Sequence, residues 1–322
     1  MDWSEAYCHA FRDTGGMGAR VVVVGSLNLD LVIGLARMPD SGETVFGETL
    51  EQHAGGKGLN QAVAAARLGV PVSMIGALGS DASGAWLRGV VETEGIDGSA
   101  VAQVDGISGT ALIEVDASGA NRIVVIAGAN ADVTAEHVSA SISALDDIAI
   151  VLTQGEVPTD AIVAAMAAGR AAGARTILNP APVRDYPEAV YALVDIVIPN
   201  EHEAAQLTGL ATDTAEAATA AARDLVKRGA GCAIVTRGGE GAVWATADAS
   251  GSCAAFPIVP VDTVAAGDAF CGGLSAALAE GRGLTEALRW GSAAGALAAT
   301  AAGAVPSLPR REAVERLVNA AE

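Results

Sequence analysis

The sequence has little of what several common classes of protein require. Its four cysteines, Cys8, Cys232, Cys253 and Cys271, form no C-x-x-C pair, and its four histidines show no H-x-x-x-H spacing. A disulfide framework and a metal site built on these side chains are therefore disfavoured, and we expect a protein of the reducing cytoplasm. Aromatic residues make up only 3% of the chain, which argues against stacking platforms for single-stranded nucleic acid.

Positive charge is also scarce. Nineteen Lys and Arg residues face 38 Asp and Glu residues, for a net charge of −19 over 322 residues. Such an acidic surface repels phosphate backbones and anionic lipid, so neither nucleic acid nor a membrane is an expected partner. The uncharged run from Trp290 to Pro309 is rich in Gly, Ala and Ser and predicts a buried helix rather than a membrane span. Of the two lysines, Lys57 stands in "GGKG", which invites a functional interpretation.

Two glycine-rich nucleotide motifs are missing. "EQHAGGKG" at 51–58 lacks the upstream glycine and the Ser/Thr of the P-loop pattern G-x-x-x-x-G-K-[ST]. "GAGCAI" at 229–234 fails the last position of G-x-G-x-x-G. A P-loop fold and a dinucleotide-binding fold are therefore both disfavoured.

What the chain does have is an alternation of short β-branched runs with alanine-rich helical stretches. The predicted strands are 21–25, 72–79, 148–153, 175–179, 195–200 and 232–238. The predicted helices are 59–69, 83–95, 159–173, 201–209, 214–229, 267–281 and 284–302. Strands that are apolar throughout and separated by helices indicate an α/β fold, with a central, mostly parallel sheet covered on both faces. Ligands of such sheets bind beyond the carboxyl ends of the strands.

Two segments interrupt this alternation. Residues 31–54 and 107–126 read as hairpin-like strands, the second with the turn signal "DASGAN" between two apolar runs. They predict a small separate β-sheet that forms a lid over one edge of the main domain. Residues 1–20 carry acids and no hydrophobic run, and we predict a disordered N-terminal extension ahead of a single domain at 21–322.

Polar residues follow the first strand and open the first helix. "GSLNLD" at 25–30 could be no more than a polar strand end, and "GGKGLNQAVAAARLG" at 55–69 could be a tight turn with a solvent-facing lysine. Taken together, Asn28, Asp30, Lys57 and Asn60 supply several donors and acceptors at neighbouring strand ends. That mixture suits a polyhydroxylated ligand, whose hydroxyls each need a partner once water is excluded.

The stretch "VDTVAAGDAF" at 261–270 is a turn of small residues that enters a helix. Backbone N–H groups and the helix dipole make such a turn an anion pocket, suited to a transferring phosphoryl group. Asp268 lies in the first helical turn, where it could act as a base. It could equally be a first-turn acid that stabilises the helix by about 0.3–1 kcal/mol, and the spacing alone does not choose between the two.

Six motifs in order point to one family. They are "GSLNLD", "GGKGLNQAVAAARLG", "NPAP", "PNEHEAAQLTG", "TRGGEGA" and "VDTVAAGDAF". From about Val21 to Leu317 the chain resembles the PfkB-type carbohydrate kinases, and within them the ribokinase group. The resemblance implies a ribokinase-like fold and ATP-dependent phosphorylation of D-ribose at its 5-hydroxyl. It also implies Mg²⁺ bound with ATP, K⁺ as an activating cation, and a homodimer formed through the lid, where Val45 and Phe46 are apolar outward positions.

The resemblance further implies a role for individual positions. Asp268 matches the catalytic base, and Ala265, Ala266 and Gly267 match the anion hole. The sugar-binding positions are Asn28, Asp30, Gly56, Lys57, Gly58, Asn60, Glu156 and Asp268. The ATP-binding positions are Asn200, Thr236, Arg237, Gly238, Gly239, Glu240, Gly241, Gly267, Asp268 and Ser292. Glu203 matches the Mg²⁺-associated acid of the N-x-x-E motif, and the K⁺ positions are Asp262, Val264, Ala298, Ala301, Gly303 and Ser307.

Some positions depart from the family pattern, and other functions stay open. Gly155 stands where a bulkier residue is familiar, and Ser292 and Ala301 replace larger polar side chains. A kinase for deoxyribose, fructose or a nucleoside is the alternative within the same class. A catalytically silent sugar- or nucleotide-binding protein is the alternative from a different class, because a fold alone does not fix a function.

Overall fold

The computed structural model describes residues 18–320. The predicted extension lies outside the described residues except at 18–20, and Arg20 already begins the first strand. The disordered extension therefore stays a prediction.

Thirteen strands and nine α-helices make up residues 18–320. The strands are β1 (Arg20–Val24), β2 (Asn28–Leu35), β3 (Gly47–Gly55), β4 (Val72–Gly79), β5 (Asp97–Val104), β6 (Gly109–Asp116), β7 (Asn121–Ile126), β8 (Ile148–Gln154), β9 (Arg175–Asn179), β10 (Ile196–Val197), β11 (Cys232–Thr236), β12 (Ala242–Thr246) and β13 (Ser250–Cys253). The helices are α1 (Lys57–Arg67), α2 (Ala82–Thr93), α3 (Ala135–Ser143), α4 (Thr159–Ala171), α5 (Glu201–Thr208), α6 (Ala215–Lys227), α7 (Ala266–Ala279), α8 (Leu284–Ala298) and α9 (Arg311–Ala320).

The main sheet has nine strands in the order β13-β12-β11-β10-β9-β8-β1-β4-β5. The seven strands from β11 to β5 pair in parallel, and β12 and β13 are antiparallel additions at one edge. The valines of β1 alternate between the two faces. Val21 and Val23 pack with α1, α2, α7, α8 and α9, while Val22 and Val24 pack with α3, α4 and α6. Helices therefore cover both faces, which confirms the predicted fold class.

All six predicted strands of the main sheet are present, but β10 is only two residues long, against the predicted 195–200. Pro199 follows it and lacks the N–H that a continuing strand would donate. The strands β5, β12 and β13 and the helices α3 and α9 were not predicted. The two edge strands, β5 and β13, are of mixed polarity and give no continuous apolar run, and so no clear signal in the sequence.

The lid is a second sheet with the strand order β3-β2-β6-β7. Two antiparallel pairs, β2 with β3 and β6 with β7, are joined by the parallel pairing of β2 with β6. The first lid strand begins at Asn28, only a few residues after β1 ends, so its first residues lie at the base of the lid beside the main sheet. No helix within residues 18–320 is long and apolar enough to cross a membrane.

Candidate active site

Asp268 lies in the first turn of α7, and its side chain is held by α1. Asn60 Nδ2 donates to Asp268 Oδ2 and Gln61 Nε2 donates to Asp268 Oδ1, each at 2.9 Å. The two helices approach closely at Gly272, where a β-carbon would lie 2.5 Å from that of Ala64. Both carboxylate oxygens thus accept an amide hydrogen bond, and the 6% exposure of the residue leaves one small opening for a ligand.

The start of α1 fixes a second carboxylate. Glu156 Oε2 accepts hydrogen bonds from Ser26 Oγ at 2.5 Å and from the Lys57 N–H at 3.0 Å. Gly56, which precedes the helix, has φ 88°, and a β-carbon there would lie 2.9 Å from the Asn28 nitrogen. The glycine is therefore required both by its backbone conformation and by the close approach of the lid strand.

The site is crowded with acidic groups around a single ammonium. The charge of Asp268, followed by those of Glu156 and Glu203, raises the pKa of Lys57, although burial opposes this. Burial, and then the charges of Glu156 and Asp268, raise the pKa of Asp30 to about 7. Lys57 consequently keeps its proton, while Asp30 titrates near neutral pH.

Asn28 and Asp30 face this cluster from the lid strand β2. Asn130 Nδ2 donates to Asn28 Oδ1 at 2.7 Å, and its side chain also binds the backbone N–H and C=O of Leu27 at 3.0 and 3.3 Å. Asn28 is thus left with its NH₂ group for a ligand. The Asp30 carboxylate occupies the space over Gly55, where a β-carbon would lie 1.9 Å from Oδ2.

Asn60 has an unused acceptor. While its Nδ2 is bound to Asp268, its Oδ1 is buried and has no hydrogen-bond partner within residues 18–320. A buried acceptor without a partner is costly, so this atom suits the hydroxyl of a bound ligand.

The N-x-x-E segment lies beyond β10 at the same edge of the sheet. Asn200 and Glu203 form a capping box at the start of α5, in which each side chain accepts a backbone hydrogen bond from the other residue at 2.8 Å. Asn200 also forms a β-bridge with Thr236. Burial is the main cause that raises the pKa of Glu203, and a half-buried carboxylate of this kind suits a nearby cation.

The loop after β11 is held by its own arginine. The buried Arg237 guanidinium contacts Glu201 at 3.2 Å and also pairs with Glu240. The backbone N–H of Arg237 donates to Gly241 C=O at 2.7 Å. Gly238 and Gly241 have φ 50° and 87°, as the turn requires. Because two carboxylates already neutralise Arg237, its side chain shapes the loop, and the exposed Gly238 and Gly239 are the part left for a nucleotide.

The predicted anion hole stands at the start of α7. Ala265 has φ 59°, and its C=O accepts the first intrahelical bond, from the Ala269 N–H at 2.8 Å. The Ala266 N–H donates to Thr263 C=O at 3.2 Å. The N–H groups of Gly267 and Asp268 precede the first intrahelical bond, so they are free to bind an anion.

The predicted K⁺ positions fall on two neighbouring loops. Asp262 Oδ1 accepts from the Val264 N–H at 3.0 Å, and its Oδ2 accepts from the Gly303 N–H at 2.9 Å. Ser307 is buried and donates its hydroxyl to Ala304 C=O at 2.9 Å, which leaves its lone pairs as acceptors. Ala298 is the last residue of α8 and Ala301 lies on the second loop, just after it, and the Ala301 N–H donates to Ala298 C=O at 3.2 Å. The described residues contain no cluster of three or more His, Cys, Asp or Glu side chains suited to a metal.

Residues 19–311 match the pfkB family of carbohydrate kinases. The chain belongs to that family. A bifunctional ribokinase/ribose-5-phosphate isomerase A of Fructilactobacillus sanfranciscensis is 38% identical over 303 residues, which are 93% of the chain and 56% of that protein. The chain therefore spans about half the length of that relative.

Two further relatives of this pfkB kinase match over nearly their whole length. A ribokinase of Haemophilus influenzae is 36% identical over 306 residues, covering 94% of the chain and 100% of that protein. The solved structure of Arabidopsis thaliana ribokinase complexed with ribose and ATP has a TM-score of 0.86 and 31% identity, covering 94% of the chain and 99% of that structure.

Several site contacts of this pfkB kinase had no role assigned from the sequence. Ser26, Gln61 and Asn179 stand inside motifs quoted above, so the signal for them was present. Gln154 and Asn130 lie in none of these motifs. Each of the five side chains forms a hydrogen bond with a residue far away in the sequence, and only the folded structure reveals these bonds.

Two departures from the family pattern have a structural context. A β-carbon at Gly155 would lie 2.0 Å from Pro182 C=O, so this position faces the chain that follows β9. The Ser292 hydroxyl lies 3.5 Å from Cys253 Sγ, between α8 and the end of β13.

Proposed function

We propose that this pfkB kinase transfers the γ-phosphoryl group of ATP to the 5-hydroxyl of D-ribose, giving D-ribose 5-phosphate and ADP. The observation that carries the proposal is the position of Asp268. Its carboxylate is fixed by two amides, at the start of a helix whose free N–H groups can bind a phosphoryl group. The ribokinase relatives, one of them solved with ribose and ATP, support the choice of substrate.

The polar groups around Asp268 match the hydroxyls of a small sugar. Asp30 and the free Oδ1 of Asn60 can accept hydrogen bonds from hydroxyl groups, whereas the NH₂ group of Asn28 can donate one. Glu156 has one oxygen engaged by Ser26 and the Lys57 N–H, which leaves the other for the ligand. A ligand lacking a hydroxyl would leave some of these buried groups unpaired, and that loss is the physical basis of selectivity.

In the proposed reaction, Asp268 accepts the proton of the 5-hydroxyl as its oxygen attacks the γ-phosphorus. The bond from oxygen to phosphorus forms, the bond from the γ-phosphorus to the bridging oxygen breaks, and ADP leaves with that oxygen. The N–H groups of Gly267 and Asp268 and the dipole of α7 stabilise the charge of the transferring group. The Lys57 ammonium lies in the same acidic cluster and adds positive charge.

Two cations fit the residues present. Glu203, with Asn200 beside it, would hold Mg²⁺ near the phosphates, and when bound this ion neutralises phosphate charge. Asp262, Ser307 and the carbonyl oxygens of Val264, Ala298, Ala301 and Gly303 would hold K⁺, which when bound adds positive charge beside the anion hole.

The lid surface supports a homodimer. Strand β7 lies at one edge of the lid, and its four consecutive apolar residues, 123–126, are 43–59% exposed on both faces of the sheet. Phe46 is 96% exposed at the other end of the lid. An apolar open edge of this kind needs a cover, and the lid of a second copy would supply one. Sedimentation velocity is expected to give a dimer, and a monomer at working concentration would contradict the proposal.

The activity is tested by ADP release in a coupled assay with MgATP. D-ribose is compared with 2-deoxyribose, fructose and adenosine, each with and without K⁺. We expect ribose-dependent turnover that K⁺ increases. A preference for another acceptor would place the error in the pocket around Asp30 and Asn60, and silence with every acceptor in folded, ATP-binding protein would favour a non-catalytic role.

The role of Asp268 is tested separately with Asp268→Asn. Because Asn keeps the shape of the side chain but cannot take the proton, turnover should fall by at least about a hundredfold. Stability should change little. Turnover near that of the parent would remove Asp268 from the reaction.

A further inference from the structure

Behind Asp268 lies a chain of buried amides that starts at Gln61 and continues through residues to which the reaction described above gives no role. Gln154 Nε2 donates to Gln61 Oε1 at 2.7 Å. Gln61 Nε2 then donates both of its hydrogens, to Asp268 Oδ1 at 2.9 Å and to Asn179 Oδ1 at 3.0 Å. Asn179 Nδ2 donates to Ile198 C=O at 2.8 Å. Gln61 and Gln154 are fully buried, so water does not compete for these bonds.

The hydrogen bonds of this chain run in one direction only. A reversed Gln61 amide would place its oxygen against two other acceptors, the Asp268 carboxylate and the Asn179 carbonyl oxygen. It would also place its NH₂ group against the NH₂ group of Gln154. Each of these buried contacts would lose a hydrogen bond and gain a repulsion. Gln154 and Asn179 therefore fix which end of Gln61 meets the carboxylate.

The chain also joins separate parts of the site. Gln61 belongs to α1, Gln154 to the end of β8 and Asn179 to the end of β9. Ile198 follows β10 and stands two residues before Asn200, which opens the N-x-x-E segment. Three hydrogen bonds, from Gln61 to Asp268, from Gln61 to Asn179 and from Asn179 to Ile198, thus connect the catalytic carboxylate with the end of β10. The segment proposed to hold Mg²⁺ begins two residues later.

We propose that Gln61 is the positioning residue of Asp268, held in its working orientation by Gln154 and Asn179. This inference rests on the proposed role of Asp268 as the base. Gln61 keeps the Asp268 carboxylate at a fixed distance and angle from the sugar hydroxyl and from the phosphates. An error of about 1 Å in such a geometry can cost a hundredfold in rate.

The main test is Gln61→Met, which keeps the length of the side chain and removes its three hydrogen bonds. We expect kcat to fall about tenfold to a hundredfold while KM for ATP stays within twofold, because the nucleotide loop is not touched. The charged groups near Asp268, which are Lys57, Asp30 and Glu203, are the same in both proteins, so the change in kcat reports the lost hydrogen bonds of Gln61.

A matched control separates positioning from stability. Thr176 is buried in β9, where its hydroxyl binds Leu193 C=O at 2.6 Å and Asp195 Oδ2 at 3.0 Å, away from the site. Thr176→Val also removes buried hydrogen bonds and should lower the melting temperature, yet leave kcat and KM for ATP as in the parent. If Gln61→Met behaves like this control, with lower stability and unchanged kcat, Gln61 is merely structural and the inference fails.

Further variants cover the remaining outcomes. If Gln61→Met does not fold, Gln154→Met and Asn179→Leu carry the test, because each leaves the Gln61 donor in place but free to turn. A fall in kcat of about threefold to tenfold in both supports the inference, and parent kcat in both overturns it. Asp268→Asn is measured in the same series. Full activity there would refute the base itself, whereas an inactive Asp268→Asn beside a fully active Gln61→Met would refute only the positioning role.

Discussion

Replacing Asp30 by Asn is expected to stabilise the folded protein at alkaline pH while it weakens the binding of the sugar. The Asp30 carboxylate is buried, lies near Glu156 and Asp268, and has a pKa raised from 3.8 to about 7. Within residues 18–320 it accepts no hydrogen bond from a side chain, so Asn loses no partner in the free protein. The substitution therefore removes a buried charge at little cost in contacts.

The sign and the size follow from the two pKa values of Asp30. A carboxyl whose pKa is higher in the folded protein than in the unfolded chain favours folding when protonated. Its contribution is present below pH 3.8, declines as the pH rises, and is lost above pH 7. At about 1.36 kcal/mol for each tenfold change in proton affinity, ionised Asp30 costs at most about 4 kcal/mol at pH 8. At pH 5.5 the same calculation gives about 2 kcal/mol.

Urea unfolding of the parent and of Asp30→Asn at pH 5.5 and 8.0 measures this effect. The variant should be more stable at both values, and its advantage should grow by about 2 kcal/mol between them. In steady-state kinetics at pH 8, its KM for ribose should rise at least about tenfold, since a charged acceptor of hydroxyl hydrogen bonds is gone. The reasoning would be refuted if the free energy of unfolding changed equally with pH in the two proteins, or if the variant were less stable than the parent at pH 8.

Three other substitutions test separate features. Asn130→Asp removes the NH₂ group that orients Asn28, so KM for ribose should rise about tenfold with KM for ATP unchanged; equal changes in both would contradict this. Ala265→Gly should raise the melting temperature by about 2 °C in calorimetry, because glycine adopts φ 59° without the penalty of about 1 kcal/mol that alanine incurs; a lower melting temperature would show that Ala265 carries no strain. Gly155→Ala should cost more than about 1 kcal/mol in urea unfolding, since its β-carbon would meet Pro182 C=O at 2.0 Å, and an unchanged midpoint would contradict that contact.

The order of strands and helices could be predicted because the central strands are buried on both faces. Runs such as that of β1 give an unbroken apolar signal, and helices with one buried face separate them. Strand β10 was overestimated, because Pro199 has no N–H to donate and pairing resumes beyond it only as the single bridge of Asn200 with Thr236. The edge strand β13 was missed, since Gly251 and the serines beside it read as a turn.

The candidate site divides in a similar way. The residues implied by the resemblance, such as Lys57, Glu156 and Asp268, do converge at one edge of the sheet. The residues that hold them could not be found in the same way. Gln61 and Asp268 are 207 positions apart, and no local pattern states that one side chain donates to the other. Their contact depends on how closely α1 and α7 pack.

The place of β1 in the main sheet bears on how the chain folds as the ribosome makes it. This strand is synthesised before both of its neighbours, β4 and β8, and its residues pair with positions about 50 and about 128 further along the chain. Until β8 emerges, one edge of β1, which contains the four consecutive valines 21–24, has no neighbouring strand. At about 5–20 residues per second the interval lasts on the order of ten seconds. During that time the half-made sheet exposes an apolar edge that chaperones can bind, and slower translation of this region would prolong the exposure.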